Sequence, residues 1–134
     1  MIYGIGIDNF EVIRIKEQIE KESGLIQDIF SQEEIEYCNN MNHKEEHFAA
    51  RFSAKEAFMK ALGTGWRYGI RFADIEVCND ELGKPFLLLS GKVKEITLDK
   101  GISNMHLSMT HTKSLATAIV ILEIDSVNIN DLNK

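Results

Sequence analysis

The sequence predicts one domain that contains both helices and strands. The stretch 48–66 carries apolar and charged side chains at helical spacing, whereas the runs 2–8 and 115–124 have the apolar character of strands. Of the 134 residues, 44% are hydrophobic, which is enough to form a core. Residues from 126 onward are polar, so we expect the domain to cover 1–125 and to be followed by a frayed tail over 126–134.

The charge of the chain argues against general nucleic-acid binding. A formal net charge of −6 gives no broad basic surface to meet phosphates. Five cations nevertheless gather within one short part of the sequence: Arg51, Lys55, Lys60, Arg67 and Arg71. This local excess favours a basic pocket for a small phosphorylated ligand.

The chain shows neither a signal peptide at Met1 nor an apolar run long enough to span a bilayer. We therefore expect a soluble protein in the cytoplasm. Cys38 and Cys78 lie far apart and lack metal-ligand spacing, so we interpret them as reduced thiols.

The N-terminal run 2–8 predicts a strand that ends at an acid, Asp8. A helix is predicted over 11–22 from the spacing of its apolar residues, with Gly24 as its stop. Two readings of Asp8 stay open on the sequence alone, because an acid at this place can cap the helix or bind a ligand.

Two capping patterns follow. Ser31 begins a capping box and predicts a helix over about 32–40, and a second such pattern at 42–45 begins the central helix. His43 and His47 have metal-ligand spacing, but no third ligand accompanies them, so exposed histidines near the helix start are the favoured interpretation.

The predicted helix within 48–66 is the element on which the rest depends. An apolar track follows one side, and a charged set runs beside it: Phe48, Phe52, Met59 and Leu62, then Arg51, Lys55, Glu56 and Lys60. Glu56 lies one turn from Lys60, so its carboxylate should sit at the edge of the buried face with a cation beside it. That position suits an acid that binds a ligand, and Gly63 is placed to end the helix.

The segment after Gly63 contains Trp66, Tyr68 and two arginines. Its backbone amides and guanidinium groups could bind phosphate, or it could be a plain connecting loop. A hairpin is predicted next, with Asp80 and Gly83 in its turn and Pro85 at the start of the returning strand.

Ser90 is predicted to cap a helix over about 91–100, which Gly101 closes. In the last third, alternation over 105–110 predicts a strand with one polar and one apolar face, and the apolar run 115–124 predicts a central strand. His111 lies at the end of the first of these strands among hydroxyl side chains, which is compatible with a hydrogen-bonded turn or with a site.

Six sequence blocks occur in an order that resembles a known family. They are GID at 6–8 with Glu11 and Arg14-Ile15, EEIEYC at 33–38, RFSAKEAFMK at 51–60, the GTGxxxGIxFxDIEV stretch at 63–77, GKP at 83–85 and LSMTHT at 107–112. Together they resemble the 4'-phosphopantetheinyl transferase family in its small trimeric bacterial type, the holo-[acyl-carrier-protein] synthases.

The resemblance implies an enzyme of lipid metabolism (fatty acid biosynthesis) that uses Mg²⁺. It would transfer the 4'-phosphopantetheine arm of coenzyme A to a serine of apo acyl carrier protein and release adenosine 3',5'-bisphosphate. The implied metal ligands are Asp8 and Glu56, which with Lys60 form the catalytic set. The positions implied to contact coenzyme A are Arg51, Lys55, Lys60, Gly63, Gly65, Pro85, His111 and Thr112. The proton acceptor for the serine stays open between Glu56 and a water on the metal.

The resemblance also implies an α+β fold in which an antiparallel sheet wraps on a long central helix. It implies a homotrimer with active sites between subunits. Because carrier proteins are acidic and this chain is acidic too, we expect docking on a local basic face of the first helix, at Arg14 and Lys21.

Two other functions compete with this one. A broader-specificity phosphopantetheinyl transferase would be longer, with two similar halves, and the sequence contains no internal repeat. A non-catalytic trimeric nucleotide-binding module would explain the cations and apolar strands, but would not need Asp8 and Glu56 as acids beside them.

Overall fold

A computed structural model describes residues 1–65 and 69–125. Its elements in chain order are β1 Ile2–Glu11, α1 Val12–Lys21, α2 Leu25–Ile29, α3 Gln32–Asn39, α4 Lys44–Leu62, β2 Ile75–Asn79, β3 Pro85–Leu89, α5 Gly91–Asp99, β4 Ile102–His111 and β5 Leu115–Ile124. The loop hypothesis for Trp66, Arg67 and Tyr68 and the tail predicted over 126–134 fall outside the described residues.

Three long strands form an antiparallel sheet in the order β1-β5-β4, so the prediction that 115–124 is a central strand is confirmed. Ile7 of β1 and Ser108 of β4 both pair with Ile119 of β5. The even-numbered residues of β5 from Ala116 to Leu122 are buried, which places one face of the sheet in the core. The other two strands, β2 and β3, form a separate hairpin. This is the α+β arrangement that the resemblance implied.

The long helix α4 packs against β1 and β5 and contributes much of the core. It ends as predicted at Gly63, whose φ of 80° lies in the left-handed region that glycine adopts easily. Its start differs from the prediction. The cap position is His43, with a φ of 56°, and the His43 side chain makes no capping hydrogen bond to the part of the chain that the structure describes.

Two glycines bring β1 unusually close to α4. A Cβ atom added to Gly4 would lie 2.0 Å from the carbonyl oxygen of Ala61, and one added to Gly6 would lie 1.8 Å from that of Ala57. Only glycine fits at these two positions, because a side chain there would overlap helix backbone. The alternation of glycine in the N-terminal run is therefore a packing feature that sets the distance between strand and helix.

Two of the N-terminal predictions need correction, and one of the two open readings of Asp8 is excluded. The first strand continues past Asp8 to Glu11, because residues 8–11 pair with 115–118 of β5. Asp8 is consequently not a helix cap; Glu11 occupies that position for α1. Helix α1 ends at Lys21 and is followed by Glu22, which adopts the left-handed conformation at the cap position. Gly24 instead precedes the short helix α2, which the sequence did not predict.

Several local predictions are confirmed. The capping box of Ser31 and Glu34 is present at the start of α3, with both reciprocal hydrogen bonds. The hairpin turn contains Asp80 and Gly83, and β4 shows the predicted alternation. Ser90 does occupy the cap position of α5, but its hydroxyl donates to Asp74 Oδ1 at 3.2 Å instead of capping the helix.

None of the helices among the described residues is both long enough and apolar enough to cross a membrane.

Candidate active site

Asp8 lies on the face of β1 that is turned toward α4, two residues beyond Gly6. Its side chain is only 13% exposed. Lys60 Nζ donates to Asp8 Oδ1 at 3.1 Å and to the carbonyl of Ile7 at 3.1 Å. The hydroxyl of Ser53 lies 2.8 Å from the carbonyl oxygen of Asp8 and 3.1 Å from its Oδ2. Both oxygens of this carboxylate therefore face a donor on the helix.

Glu56 is the second acid of this site. Its side chain is half-buried on α4, one turn before Lys60. Burial is the largest cause that raises the pKa of Glu56, and the negative charge of Asp8 raises it further; the cations Lys60 and Arg14 act in the opposite direction. The structure thus brings Asp8, Glu56 and Lys60 together, as the resemblance implied for the catalytic set.

A second group of polar side chains lies on another side of α4, and we call it the Arg51 cluster: Tyr37, Glu46, His47, Arg51, Asn79 and His111. The Arg51 guanidinium stacks 4.0 Å above the Tyr37 ring and donates to Asn79 Oδ1 at 2.6 Å. Arg51 is buried, and its Nε has no hydrogen-bond partner among the described residues. A buried donor of this kind suits an anionic ligand.

The histidines complete the Arg51 cluster. The His47 ring packs 5.0 Å from the His111 ring, and His111 Nδ1 lies 3.2 Å from Glu46 Oε1. Burial lowers the pKa of His47, and the neighbouring His111 and Arg51 lower it further. His47 is therefore partly buried and paired with other rings, whereas the sequence predicted an exposed histidine.

Lys55 does not belong to either group. Its side chain is 0% exposed, and Nζ donates to Glu34 Oε1 at 2.6 Å and to the carbonyls of Phe72 and Ile75 at 3.0 and 2.6 Å. An ammonium has three donors, so each one is already used. This arrangement leaves Lys55 no free donor for coenzyme A, because in this chain the residue joins α4 to α3 and β2 inside the core.

The remaining positions assigned to coenzyme binding lie at element ends. Gly63 and Gly65 are exposed beyond α4, and the N–H of Gly63 is used by the helix cap. Pro85 pairs with Asn79 across the hairpin, which places it next to the partner of Arg51. The hydroxyl of Thr112 accepts the N–H of Leu115 at 3.2 Å in the turn between β4 and β5.

The two positions assigned to carrier-protein docking are exposed on α1. Arg14 stacks 4.8 Å from the centre of the Phe10 ring, and its charge acts on the pKa of Glu56. It therefore lies close to the acidic pair, while Lys21 occupies the last turn of α1.

One further cluster has metal-ligand chemistry. Ligand atoms of His43, Glu45 and Glu46 lie within 4.8 Å of one another at the start of α4. The helix dipole favours acids in a first turn, which accounts for the two glutamates without a metal. His47 is not part of this group, so the pair His43 and His47 does not form the site that its spacing resembles.

The cysteines are both free thiols, Cys38 buried and Cys78 partly buried. Burial raises the pKa of Cys38 to about 12 and that of Cys78 to about 11. Neither thiol is activated as a nucleophile, because nucleophilic cysteines have lowered pKa values.

Sequence reasoning missed Ser53, Glu34, Tyr37 and Asn79. A signal existed for Ser53, because it is the one hydroxyl in the alanine-rich series 49, 50, 53, 54, 57 and 61 of the central helix. Glu34 was recognised only as part of a capping box. Tyr37 and Asn79 meet Arg51 from separate elements, so no local pattern predicts their contact.

The chain matches known proteins along nearly its whole length. The profile of the 4'-phosphopantetheinyl transferase superfamily matches residues 4–120. A curated protein of Geotalea daltonii, named holo-[acyl-carrier-protein] synthase, is 44% identical over 124 residues, which make up 92% of this chain and 99% of that protein.

Solved structures agree. A holo-(acyl-carrier-protein) synthase from Bacillus anthracis in complex with CoA (3',5'-ADP) is 38% identical, with a TM-score of 0.76, and the match covers 93% of this chain and 99% of that one. A holo-[acyl-carrier-protein] synthase from Neisseria meningitidis is 34% identical, with a TM-score of 0.83 and coverage of 92% and 99%. Both groups of side chains described above lie within the range that the superfamily profile matches.

Proposed function

Because the chain belongs to the 4'-phosphopantetheinyl transferase superfamily, we propose that it acts as a holo-[acyl-carrier-protein] synthase. It transfers 4'-phosphopantetheine from coenzyme A to a serine hydroxyl of apo acyl carrier protein. The products are the holo carrier protein, used in fatty acid synthesis, and adenosine 3',5'-bisphosphate. The observation that carries the proposal is the pair of carboxylates Asp8 and Glu56 beside Lys60, in a chain that spans nearly the full length of its relatives. Residues 1–125 act as one transferase domain.

The donor chemistry of this pair fits a divalent cation. Two adjacent carboxylates repel each other, which is one cause of the raised pKa of Glu56. A cation bound by Asp8 and Glu56 would relieve this repulsion, and Mg²⁺ prefers one or two carboxylates together with phosphate oxygens. When bound, it supplies positive charge to the diphosphate of the substrate.

Lys60 supplies a second positive charge. Its side chain is 55% exposed, so its ammonium can reach a ligand in solvent while its stem stays on α4. In the transfer, the serine oxygen forms a bond to the phosphorus of the pantetheine arm, and the bond to the leaving phosphate breaks. Lys60 stabilises the negative charge that develops on the leaving phosphate. The proton of the serine hydroxyl passes either to Glu56 or to a water on the metal.

The nucleotide end of coenzyme A binds at the Arg51 cluster. Arg51 and Glu56 point about 140° apart around α4. The two groups in one subunit therefore face different directions, which supports a site that combines Asp8 and Glu56 of one subunit with the Arg51 cluster of the next.

The exposed face of the sheet supports the homotrimer that such a site requires. Ile5, Ile7 and Ile119 lie on this face and are 55%, 59% and 36% exposed. Contiguous exposed apolar side chains are typical of an interaction surface. We assign this face to the contact between subunits.

The carrier protein docks on α1, where Arg14 offers positive charge near the acidic pair and Lys21 adds an exposed cation in the last turn. Arg14 thereby links docking to the site of chemistry. The proposal retains the cytoplasmic location expected from the sequence, which agrees with the two free cysteines.

Mass spectrometry of the carrier protein tests this function directly. Apo carrier protein incubated with the enzyme, coenzyme A and Mg²⁺ should gain the mass of one phosphopantetheine. The gain should disappear with EDTA and with Glu56→Gln, which keeps the size of the side chain but removes its charge. A carrier protein that gains no mass at any enzyme concentration would favour the non-catalytic nucleotide-binding module instead.

A further inference from the structure

The contacts between strand β1 and helix α4 repeat at a regular interval: every two residues along the strand correspond to four residues along the helix. Gly4 meets Ala61 and Gly6 meets Ala57. Two strand residues advance about 6.6 Å and four helix residues about 6 Å, so the next contact of the series joins residues 8 and 53. At this point the glycine is replaced by an acid and the alanine by a serine.

Ser53 is fully buried, with 0% exposure. Its hydroxyl lies within hydrogen-bond distance of two oxygens, the carbonyl and Oδ2 of Asp8. A hydroxyl has one proton, and burying it without a partner is unfavourable, so it remains directed at Asp8. The other carboxylate oxygen, Oδ1, receives Lys60.

The two donors on Asp8 differ in their freedom to move. Lys60 is more than half exposed and can turn into solvent, whereas Ser53 is enclosed by the core. A cation at Asp8 would repel the ammonium of Lys60 but not the hydroxyl of Ser53. The serine is therefore the contact that persists whether or not Lys60 stays.

We infer that Ser53 is a positioning residue for the metal-binding acid: its buried hydroxyl lies against both the carbonyl oxygen and Oδ2 of Asp8, and so fixes the orientation of a carboxylate that would share a cation with Glu56. This inference rests on the proposed function, since it assumes that Asp8 binds the metal. Groups that orient a ligating carboxylate typically change metal affinity by 10- to 100-fold when they are removed.

Ser53→Ala tests the inference because it removes one oxygen atom from a helix in which alanine is favourable, so the fold is retained. Mn²⁺ binding to the full chain with coenzyme A would be measured from the electron paramagnetic resonance of free Mn²⁺. We expect the dissociation constant for Mn²⁺ to rise roughly tenfold. Coenzyme A affinity measured in EDTA should not change.

Thr97→Val is the matched control. Thr97 is also buried, and its hydroxyl donates to the carbonyl of Val93 at 2.7 Å on α5, away from Asp8. This variant loses a buried hydroxyl in the same way but should bind Mn²⁺ like the wild type.

The outcomes separate the inference from the function on which it rests. If Glu56→Gln abolished Mn²⁺ binding but Ser53→Ala bound Mn²⁺ as tightly as the wild type, only the role of Ser53 would be overturned. Equal weakening in Ser53→Ala and Thr97→Val would also overturn it, because a general loss of stability would then be the cause. A wild-type affinity that Glu56→Gln leaves unchanged would overturn the metal site itself.

Discussion

Gly6→Ala is the perturbation that the structure defines most sharply. A Cβ atom at this position would lie 1.8 Å from the carbonyl oxygen of Ala57 and 2.7 Å from the amide nitrogen of Ala61. Real contacts of Cβ atoms are essentially never shorter than 3.0 Å. Both obstacles are helix backbone, so no side-chain rotation can relieve the overlap. Strand β1 must therefore move away from α4 by more than about 1 Å.

The same movement displaces Asp8, which is two residues away on the same face of β1. Its contacts with Lys60 and Ser53 are 3.1 Å long and would be stretched beyond hydrogen-bond range. A misplacement of about 1 Å can lower a reaction rate by about 100-fold. We expect kcat for phosphopantetheine transfer to fall by about that factor, and overpacking to lower the free energy of unfolding by about 1–3 kcal/mol.

Initial rates at saturating substrates and Mg²⁺ would be compared with urea unfolding curves. Gly101→Ala is the control, because Gly101 has a φ of 74° and nothing lies within 4 Å of its added Cβ. This control should lose about 1 kcal/mol through backbone strain while kcat stays unchanged. If Gly6→Ala lost no more activity than Gly101→Ala, the close approach of strand and helix would not be what positions Asp8.

Three further predictions concern charged side chains. Lys55→Met should lower the free energy of unfolding, measured in urea, by about 3–5 kcal/mol, because it leaves the buried carboxylate of Glu34 without its cation. Lys92→Met is the control: it removes an exposed ion pair and should change the free energy of unfolding by at most about 0.5 kcal/mol. Equal losses in the two variants would mean that the buried ion pair stabilises the fold no more than an exposed one. Lys21→Glu and Arg14→Glu should both raise KM for the carrier protein. Only Arg14→Glu should also shift the pH profile of Mg²⁺-dependent turnover to higher pH, because Arg14 lowers the pKa of Glu56. Because the pKa of Glu56 is raised on folding, the folded chain favours the protonated form of this side chain. The contribution of Glu56 to the free energy of unfolding is therefore fully present below pH 4.5 and is lost as the pH rises through the raised pKa. Without metal at pH 7, Glu56→Gln should therefore unfold at a denaturant concentration no lower than the wild type, and added Mg²⁺ should stabilise only the wild type; a large loss in the variant would contradict the sign.

Elements defined by local chemistry could be predicted from the sequence. The capping box at Ser31, the turn at Gly83 and the end of α4 at Gly63 depend on residues within a few positions of each other. The central strand was predictable because its run of apolar residues matches a strand buried on one or both faces.

Features that depend on distant contacts could not be predicted. The last residues of β1 look like a loop before a helix, yet they are strand because β5 pairs with them from more than 100 residues away. The short helix α2 has little local signal, since five residues give almost no amphipathic pattern.

In the candidate site, too, the roles that depend on distant contacts could not be predicted from the sequence. Lys55 and Lys60 are identical side chains on one helix, and only the arrangement of α3 and β2 makes the first a core residue and the second a surface cation. The family resemblance predicted that Asp8 and Glu56 share a site. The contact of Ser53 with Asp8 could not be predicted, because it depends on how β1 packs against α4.

Anomalous scattering from Mn²⁺ in crystals soaked with the ion and coenzyme A would test the central claim most directly. The proposed chemistry predicts an anomalous peak between the carboxylates of Asp8 and Glu56, within about 2.0–2.3 Å of an oxygen of each. A crystal in which Mn²⁺ binds only elsewhere, for example at His43, Glu45 and Glu46, would contradict it.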